Sequence, residues 1–529
     1  GGPEKPEQTL ANIEVHPDFT MKLVAAEPLI TKPICMDWDP AGRLWVAETP
    51  EYPNGRRGMR PDYRGKEWKD HGGIDPAPGE QERKAQDKIS ILIDTNGDGV
   101  MDKKQVFYEG LELVTGFVFH QDGVIVTQAP DILFIHDPGP DGRARKVEKL
   151  YTGLGTRDTH AVINNPRWGW DGWIYATHGY SSSSEVKNAQ GETQGTIGSG
   201  VVRFLPDGSK IEQYSSKGGN TWGLQITGDN RVMWTQPTSG QLLMQTVLPE
   251  NALARGKIGN TTSFHVVEPS LKTFPLITQE DLPYVQIDWV GSFTAAAGCA
   301  IYDGGTWPAE YNGDYFCTEP TINIIHHARL TPEGSSYTFH KLPGHEETEF
   351  VRSKDMWWRP IEVRIGPDGA MYVADFYNQA VIHNDTRGPD HNNANAAVRP
   401  DRDHYFGRIW KIDHKKAEHI AAPDLSHAGV AELVKALEHP NRTVRMTASR
   451  LLAEHSVGAE DIEPLLTSTD QDARIAALWT LFRIGSLDPQ DAVARTLDSI
   501  PSVRRNAVNV LEETEVWTKA MAPLLTDED

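Results

Sequence analysis

The sequence predicts an all-β, six-bladed propeller followed by a small all-α domain of HEAT-like helical repeats. Three observations carry this prediction: a strand phrase that occurs six times, a last strand able to close a ring, and a change to helical periodicity after about residue 424. We expect an N-terminal extension over 1–14, the propeller over 15–415, a linker over 416–424 and the helical repeats over 425–529.

The repeated phrase is a turn of Asp, Asn or Gly followed by a run of apolar and aromatic strand formers. Asp-Gly and Asn-Gly supply the positive φ angles of tight turns, so each phrase predicts a hairpin turn and then a buried strand. The six copies are Asp39–Glu48, Asp122–Thr127, Asp171–Thr177, Asp229–Thr235, Asn312–Thr318 and Asp368–Asp375. Their uneven spacing predicts long insertions over 50–88, 178–200 and 384–405, where recognition loops are expected.

Both ends of the propeller can be placed from the sequence. Phe406–Ile412 is predicted to be a last strand that pairs in the blade begun near the N-terminus and so leaves no open sheet edge. Beyond it, Val444-Arg445, Ala473-Arg474 and Val503-Arg504 recur at intervals of 29 and 30 residues, each at the start of a helix. This period is typical of a HEAT-like array, which we expect to be a scaffold that docks a protein partner.

Composition excludes several classes of partner. The chain has 529 residues and a net charge of −22, which repels phosphate backbones, so we expect no nucleic acid and a neutral or cationic ligand. No stretch approaches the about 20 apolar residues that cross a bilayer, so no transmembrane segment is expected. The three cysteines form no CxxCH pattern, which argues against haem in this chain. Cys299 and Cys317 could meet on neighbouring strands, as a disulfide or as two buried thiols.

One acidic segment has the spacing of an EF-hand-type calcium loop, with oxygen ligands at alternate positions and a glycine at the sharp turn. The predicted Ca²⁺ ligands are Asp94, Asn96, Asp98, Val100, Asp102 and Gln105. Gln105 stands at the twelfth position, where a bidentate Glu is usual. The alternative interpretation is an acidic turn between two strands, and in either case we expect a structural role.

Two further groups of residues could carry chemistry. A neutral imidazole can take a proton from a hydroxyl while a carboxylate orients it, so His160 is a candidate base and Asp158 its helper. The alternative is a hydrogen-bonded structural histidine. A second group combines three cations with two indoles, and it would bind carboxylates or stack on rings if it converged on the propeller axis. If it lay on an outer face, its cations would be solvated charges. Its members are Arg352, Lys354, Trp357, Trp358 and Arg359.

Several motifs together carry a family resemblance: the opening His16–Phe19 with Leu23–Pro28, the loop Asp94–Gly99, and Arg359–Asp375. Over nearly the whole chain they resemble the membrane-bound dehydrogenase family typical of planctomycete and verrucomicrobial bacteria. Members of that family look like a propeller followed by HEAT-like repeats, often with a c-type cytochrome module. The wider superfamily is that of soluble quinoprotein glucose dehydrogenase.

The resemblance implies pyrroloquinoline quinone (PQQ) on the propeller axis, with His160 as the base and Arg359 similar to the quinone-clamping arginines. A superfamily Arg-Asn pair stands here as Gly219-Asn220, so the arginine is missing. The expected cofactor-binding residues are Asn220, Trp222, Arg352, Lys354 and Arg359. The mechanism requires His160, Asn220 and Arg359 to meet around a central tunnel.

The leading hypothesis is a quinone-dependent dehydrogenase that oxidises a sugar or polyol and passes electrons to an external acceptor such as a c-type cytochrome. One alternative is a non-redox carbohydrate-binding or assembly propeller whose helical repeats dock a protein. The other is a polysaccharide hydrolase or lyase that uses Asp158 and His160. The calcium loop and the resemblance imply export, so we expect the periplasm, the cell exterior or the cell surface.

Overall fold

A computed structural model describes residues 2–52, 85–156, 160–180, 183–237, 241–282, 289–379, 404–455 and 457–513, together with 524 and 526. Its strands form the six predicted blades, and helices follow them, which confirms a six-bladed propeller with a helical C-terminal region. The HEAT-like character of the helices and the domain boundaries stay predictions.

Each blade is an antiparallel sheet whose first strand lies nearest the axis. These inner strands are β3 (Pro33–Trp38), β7 (Gly116–His120), β11 (Ile163–Trp168), β17 (Leu224–Ile226), β21 (Cys299–Ile301) and β26 (Pro360–Ile365). Each contacts the inner strand of the next blade, and β26 contacts β3, which closes the ring. We call the face where the inner strands begin the upper face, and the face where they end the lower face.

The second strands return from the lower to the upper face and contain the repeated phrases. They are β4 (Leu44–Glu48), β8 (Gly123–Gln128), β12 (Ile174–His178), β18 (Val232–Gln236), β22 (Tyr315–Glu319) and β27 (Met371–Asp375). Their turns lie on the lower face, where Gly172 and Gly369 adopt the expected positive φ angles of 84° and 80°. Nearly every residue of these strands is buried, so the prediction of a turn followed by a buried strand is confirmed.

The third and fourth strands complete each blade. The third strands are β5 (Asp87–Ile93), β9 (Asp131–Pro138), β15 (Gly200–Phe204), β19 (Gln241–Thr246), β23 (Ile324–Glu333) and β28 (Arg408–His414). The outer strands are β6 (Lys103–Leu111), β10 (Ala144–Thr152), β16 (Ile211–Ser216), β20 (Phe264–Glu268), β25 (Val351–Ser353) and β2 (Phe19–Ala25). Because β2 pairs with β28, with Phe19 opposite His414, the predicted closure of the ring is confirmed.

Additional strands extend the outer edges of two blades. They are β1 (Ile13–Val15) beside β25, β13 (Ser183–Asn188) beside β10, β14 (Thr193–Ile197) beside β13, and β24 (Ser336–His340) beside β23. In the fifth blade Cys299 lies directly opposite Cys317, as the sequence suggested, and both are buried free thiols.

The C-terminal helices pack on the lower face. The helices of the described residues are α1 (Pro6–Ala11), α2 (Glu250–Gly256), α3 (Val430–Ala436), α4 (Arg442–Glu454), α5 (Gln471–Arg483), α6 (Pro489–Arg495) and α7 (Pro501–Glu513). The side chains of Asn441 and Asp470 accept backbone N–H bonds at the starts of α4 and α5, as helix caps do. The apolar sides of these helices share one core with Trp170 and Trp173 of the propeller. Within the described residues, no helix is long and apolar enough to cross a membrane.

Helix α4 crosses the lower mouth of the propeller axis. Before its first turn, Nδ2 of Asn441 donates to the carbonyls of Gly304 and Gly366, at 3.2 and 2.8 Å, in the fifth and sixth blades. At its other end, Glu454 accepts a 3.0 Å bond from the backbone N–H of Gln121, in the second blade. The lower mouth is therefore covered by a helix.

Candidate functional site

The side chain of the last residue of each second strand lies at the upper face, at the edge of the central axis, which we call the upper rim. In five blades its side chain bonds the segment that leads into the inner strand of the same blade. These bonds are Thr31 N to Glu48 (2.9 Å), Glu112 N to Gln128 (2.8 Å), Gln236 Nε2 to the Gly218 carbonyl (2.9 Å), Ala295 N to Glu319 (2.7 Å) and Arg359 N to Asp375 (2.8 Å). Because a buried backbone group without a partner costs about 1–3 kcal/mol, these side chains fix the rim.

His178 is the exception, in the third blade. It is fully buried, and its Nδ1 lies 2.9 Å from the carbonyl of Gly179. Since a carbonyl only accepts, Nδ1 carries the proton. Burial lowers the pKa of His178 to about 4, against the opposing effect of the Gly179 and Gly198 carbonyls, so the ring is neutral at pH 7. In this tautomer Nε2 is a hydrogen-bond acceptor; it makes no hydrogen bond among the described residues, although the Gly198 carbonyl lies close enough to the ring to affect its pKa.

A second unpartnered acceptor lies next to His178. Asn220 is 2 % exposed, and within the described part of the chain its Oδ1 has no hydrogen-bond partner. A Cβ added at Gly179 would lie 2.5 Å from this Oδ1 and 2.6 Å from Cα of Ala161, so the three residues are in contact. The hydroxyl of Thr221 donates to the His178 carbonyl, which ties the segment of Asn220 to the third blade. A ligand at this point must supply donors.

His160, the predicted base, belongs to the same neighbourhood. It immediately precedes Ala161, it is partly exposed, and its ring centroid lies 6.3 Å from that of Tyr180. We call His160, Ala161, His178, Gly179 and Asn220 the rim site. Asp158, the predicted helper, lies outside the described residues.

Trp222 also lies at this rim, just before β17. Its indole is partly exposed, its backbone N–H donates to the Thr235 carbonyl at 3.3 Å, and its carbonyl accepts from the hydroxyl of Thr177 at 3.0 Å. The backbone around Trp222 is therefore fixed by the second strands of the third and fourth blades.

Arg359 precedes β26 and so shares the upper face with His160 and Asn220, but its guanidinium has other partners. It is 1 % exposed and joins the upper turns of the fifth and sixth blades. Its acceptors are the carbonyls of Pro320 (2.9 Å), Thr321 (3.1 Å), Asn378 (3.1 Å) and Gln379 (3.1 Å) and Oδ1 of Asn323 (3.1 Å). Three residues were expected to meet at the axis. His160 and Asn220 are neighbours, whereas the described contacts of Arg359 join the fifth blade to the sixth.

The structure places Arg352 and Lys354 away from the axis. Arg352 lies in β25, the outer strand of the fifth blade, and its guanidinium pairs with Glu14 of β1 at 2.8 Å. Lys354 is exposed just beyond that strand, and its backbone N–H donates to the carbonyl of Asn12 at 3.0 Å. Both residues lie on the outer side of the blade, as in the alternative interpretation, with Lys354 solvated and Arg352 paired with Glu14. Trp357 and Trp358 are instead buried.

The predicted calcium loop lies on the lower face, between β5 and β6, far from the rim site. Asp94 accepts three N–H bonds from its own loop at 2.7–3.3 Å, and these bonds hold its pKa below the usual value. Asp102 accepts from the N–H and the hydroxyl of Thr95 at 3.1 and 2.6 Å. Gln105 lies within β6 opposite Ile91, and its amide points to Asp141. Gln105, the residue at the twelfth position, is thus not placed as a ligand of the loop.

The remaining predicted ligands, Asn96, Asp98 and Val100, lie in the same exposed loop and bond one another. Oδ1 of Asn96 accepts from the N–H of Asp98 at 2.9 Å, and Oδ1 of Asp98 accepts from the N–H of Val100 at 2.8 Å. Among residues that the structure describes, no group of three or more His, Cys, Asp or Glu side chains is placed to hold a metal ion. The loop therefore fits Ca²⁺ incompletely, and calcium binding stays a prediction.

Comparison with known proteins identifies the family of the propeller. A family model described as "Domain of unknown function (DUF7133)" matches residues 5–416, which include every strand of the six blades. The chain belongs to the DUF7133 family. No curated protein sequence matches the chain.

Solved structures similar to this DUF7133 protein include a PQQ-bound aldose sugar dehydrogenase from Streptomyces coelicolor, at 13 % identity and a TM-score of 0.37 over 76 % of this chain and 100 % of that one. The PQQ domain of pyranose dehydrogenase from Coprinopsis cinerea has 8 % identity and a TM-score of 0.39, over 76 % and 97 %. An inactive virginiamycin B lyase from Staphylococcus aureus has 13 % identity and a TM-score of 0.33, over 74 % and 99 %. Likenesses this weak assign no chemistry.

The rim site does not fit the quinone that the family resemblance implies. PQQ is a carboxylate-bearing anion, which requires cations and hydrogen-bond donors. The described residues of the rim site instead present two unpartnered acceptors, on His178 and Asn220. The arginine expected as a clamp, Arg359, is bonded to backbone carbonyls of two blades.

Sequence reasoning missed His178 and Gly179, although a signal for both was present. When the six phrases are aligned at their last strand residue, the other five blades carry Glu, Gln or Asp, and only the third carries His. The glycine that follows is required because any side chain would overlap Asn220.

Proposed function

We propose that the rim site binds a neutral, hydroxyl-bearing ligand of the sugar or polyol class and that the protein oxidises this ligand as a dehydrogenase. The observation that carries the proposal is the pair of buried acceptors, Nε2 of His178 and Oδ1 of Asn220, which lack donors among the described residues. Sugar hydroxyls supply such donors without bringing a charge. Since an unmade buried hydrogen bond costs about 1–3 kcal/mol, a ligand that satisfies both atoms gains affinity and orientation.

In the proposed reaction His160 takes the proton of a second hydroxyl on the bound ligand. The hydrogen on the carbon that bears this hydroxyl leaves as a hydride, with its electron pair, to an external two-electron acceptor, such as an added quinone. The O–H and C–H bonds break and a C=O bond forms. His178 and Asn220 take no proton in this step and position the ligand.

Binding and turnover test different residues. Calorimetric titration with a panel of neutral sugars and polyols should find a ligand, and Asn220→Leu should weaken its binding about tenfold through the lost hydrogen bond. Asn251→Leu, on α2 and remote from the upper face, is the matched control and should bind as the unaltered protein does. His160→Gln should keep the affinity and lower the rate of dye reduction about 10²- to 10⁴-fold.

The outcomes separate the candidate functions. Dye reduction should be measured with and without an added quinone, including PQQ, and with and without Ca²⁺. If no sugar or polyol binds, the proposed ligand class is wrong. If a ligand binds but every combination leaves the dye oxidised, oxidation is excluded.

A second candidate is a non-redox carbohydrate-binding propeller. It is favoured by the engagement of Arg359 with the carbonyls of Pro320 and Thr321, which leaves this arginine bonded to protein rather than to an anionic quinone. Binding without dye reduction and without cleavage products would support it, whereas shortened products would indicate a hydrolase or lyase. Export, a c-type cytochrome acceptor and a structural Ca²⁺ remain predictions of the sequence.

A further inference from the structure

A cavity of about 80 Å³ lies at the lower end of the propeller axis, on the opposite face from the rim site. Its walls are the last residues of the inner strands, and its floor is one side of α4. The polar side chains that line it include Arg167, Gln225 and Arg364 from the strands, and Thr443, Thr447 and Arg450 from α4.

Three buried hydrogen-bond donors of this cavity have no acceptor within the described parts of the chain. They are Nε of Arg167, Nε2 of Gln225 and Nη1 of Arg364. Gln225 is 3 % exposed and Arg167 is 7 % exposed, so both side chains are buried. Three donors without acceptors would destabilise the folded state, because each buried donor without a partner costs about 1–3 kcal/mol.

The nearby carboxylates form no hydrogen bond with these donors, although Nη1 of Arg364 lies 3.6 Å from Oε1 of Glu362 as an ion pair. Glu362 pairs with Nη2 of Arg167 at 2.7 Å, and its other oxygen accepts the N–H of Met36 at 3.0 Å. Asp37 pairs with Nη2 of Arg364 at 2.8 Å, and its other oxygen accepts the N–H of Trp38 at 2.9 Å. The acids thus neutralise the two guanidinium groups, while the three donors still lack a hydrogen-bond acceptor among the described residues.

The hydroxyls on the α4 side donate to carbonyls and form no hydrogen bond with the three donors among the described residues. Thr443 donates to the carbonyl of Ile365 at 3.0 Å, and Thr447 donates to the carbonyl of Thr443 at 2.8 Å. Water could accept from the three donors, but each water brings two protons that need acceptors of their own. A small anion accepts only, so it matches a cavity whose unmet groups are all donors.

We propose that this cavity binds one small monovalent inorganic anion of the halide class, held by Arg167, Gln225 and Arg364. The anion lies between the ring of inner strands and α4, and it stabilises the contact between the propeller and the helices. Because the cavity is on the lower face, the proposal is independent of the rim site and of any dehydrogenase activity.

Bromide is the probe, because its anomalous scattering distinguishes it from water. Crystals of the full chain grown in sodium bromide should show one anomalous peak within about 3.5 Å of Nη1 of Arg364 and Nε2 of Gln225. Ordered waters at this place with no anomalous peak would overturn the proposal, and this measurement needs no variant.

Solution stability gives the second measurement. At constant ionic strength, replacing gluconate, which is too large for the cavity, by bromide should raise the midpoint of thermal unfolding saturably, by about 1–2 °C at ten times the dissociation constant. Gln225→Leu removes a donor without changing charge and should shift the bromide dependence at least tenfold to higher concentration. Gln490→Leu removes an exposed amide on α6 and should respond as the unaltered protein does. Equal midpoints in bromide and gluconate, or an unchanged response of Gln225→Leu, would contradict the proposal.

Discussion

Replacing His178 by Gln should change how the stability of the protein depends on pH. Gln is the residue that ends the second strands of two other blades, at Gln128 and Gln236, so the substitution suits this position. In the folded chain, burial lowers the pKa of His178 to about 4, from the value of 6.5 that applies to an unfolded chain. Between these two values the unfolded state binds a proton that the folded state does not, so stability is lost as the pH falls below 6.5, and the loss is complete near pH 4.

The magnitude follows from the two pKa values. At pH 5 the unfolded histidine is mostly protonated and the folded one mostly neutral, which costs the folded state about 2 kcal/mol. Urea unfolding followed by tryptophan fluorescence at pH 7 and pH 5 measures this loss. His178→Gln should lose about 2 kcal/mol less than the unaltered chain between these two pH values. His340→Gln, which replaces an exposed histidine of β24, serves as the matched control. Equal losses in His178→Gln and the unaltered chain would refute the assignment of a buried neutral ring.

Three further predictions concern the rim and the core. Gly179→Ala should abolish ligand binding at the rim site in calorimetry, because the new Cβ would lie 2.5 Å from Oδ1 of Asn220; Gly259→Ala, where nothing lies within 4 Å, should bind normally. Glu319→Ala removes the acceptor of three backbone N–H groups, one buried and two partly buried, and should lower the free energy of unfolding in urea by about 3 kcal/mol. Burial raises the pKa of the Cys299 thiol to about 12, so a thiol reagent at pH 8 should label it only after unfolding; labelling of the folded chain would contradict its burial.

The architecture was predictable because its signals are local in the chain. Each phrase contains both the turn and the strand it forms, and six copies suffice to count the blades. The closing strand could also be predicted, since Phe406–Ile412 lies where a last strand must lie and β28 forms there. Each repeated phrase depends only on residues within one hairpin.

The site was only partly predictable because its contacts are not local. His160 and Asn220 were placed on the same rim by their position before inner strands, which is a local property. Arg352 could not be assigned to an outer strand, because β25 has three residues and its partner β1 comes from the other end of the chain. The partners of Arg359 are turns of two blades, and only the assembled ring brings them together.

The pairing of β2 with β28 also governs when the sixth blade can be made. Phe19 is synthesised about 400 residues before its partner His414. At translation rates of about 5–20 residues per second, β28 is synthesised about 20–80 s after β2. Any blade that forms during that time leaves unpaired strand edges, which are able to pair with another chain. The sixth blade can therefore be completed only after β28 has been synthesised.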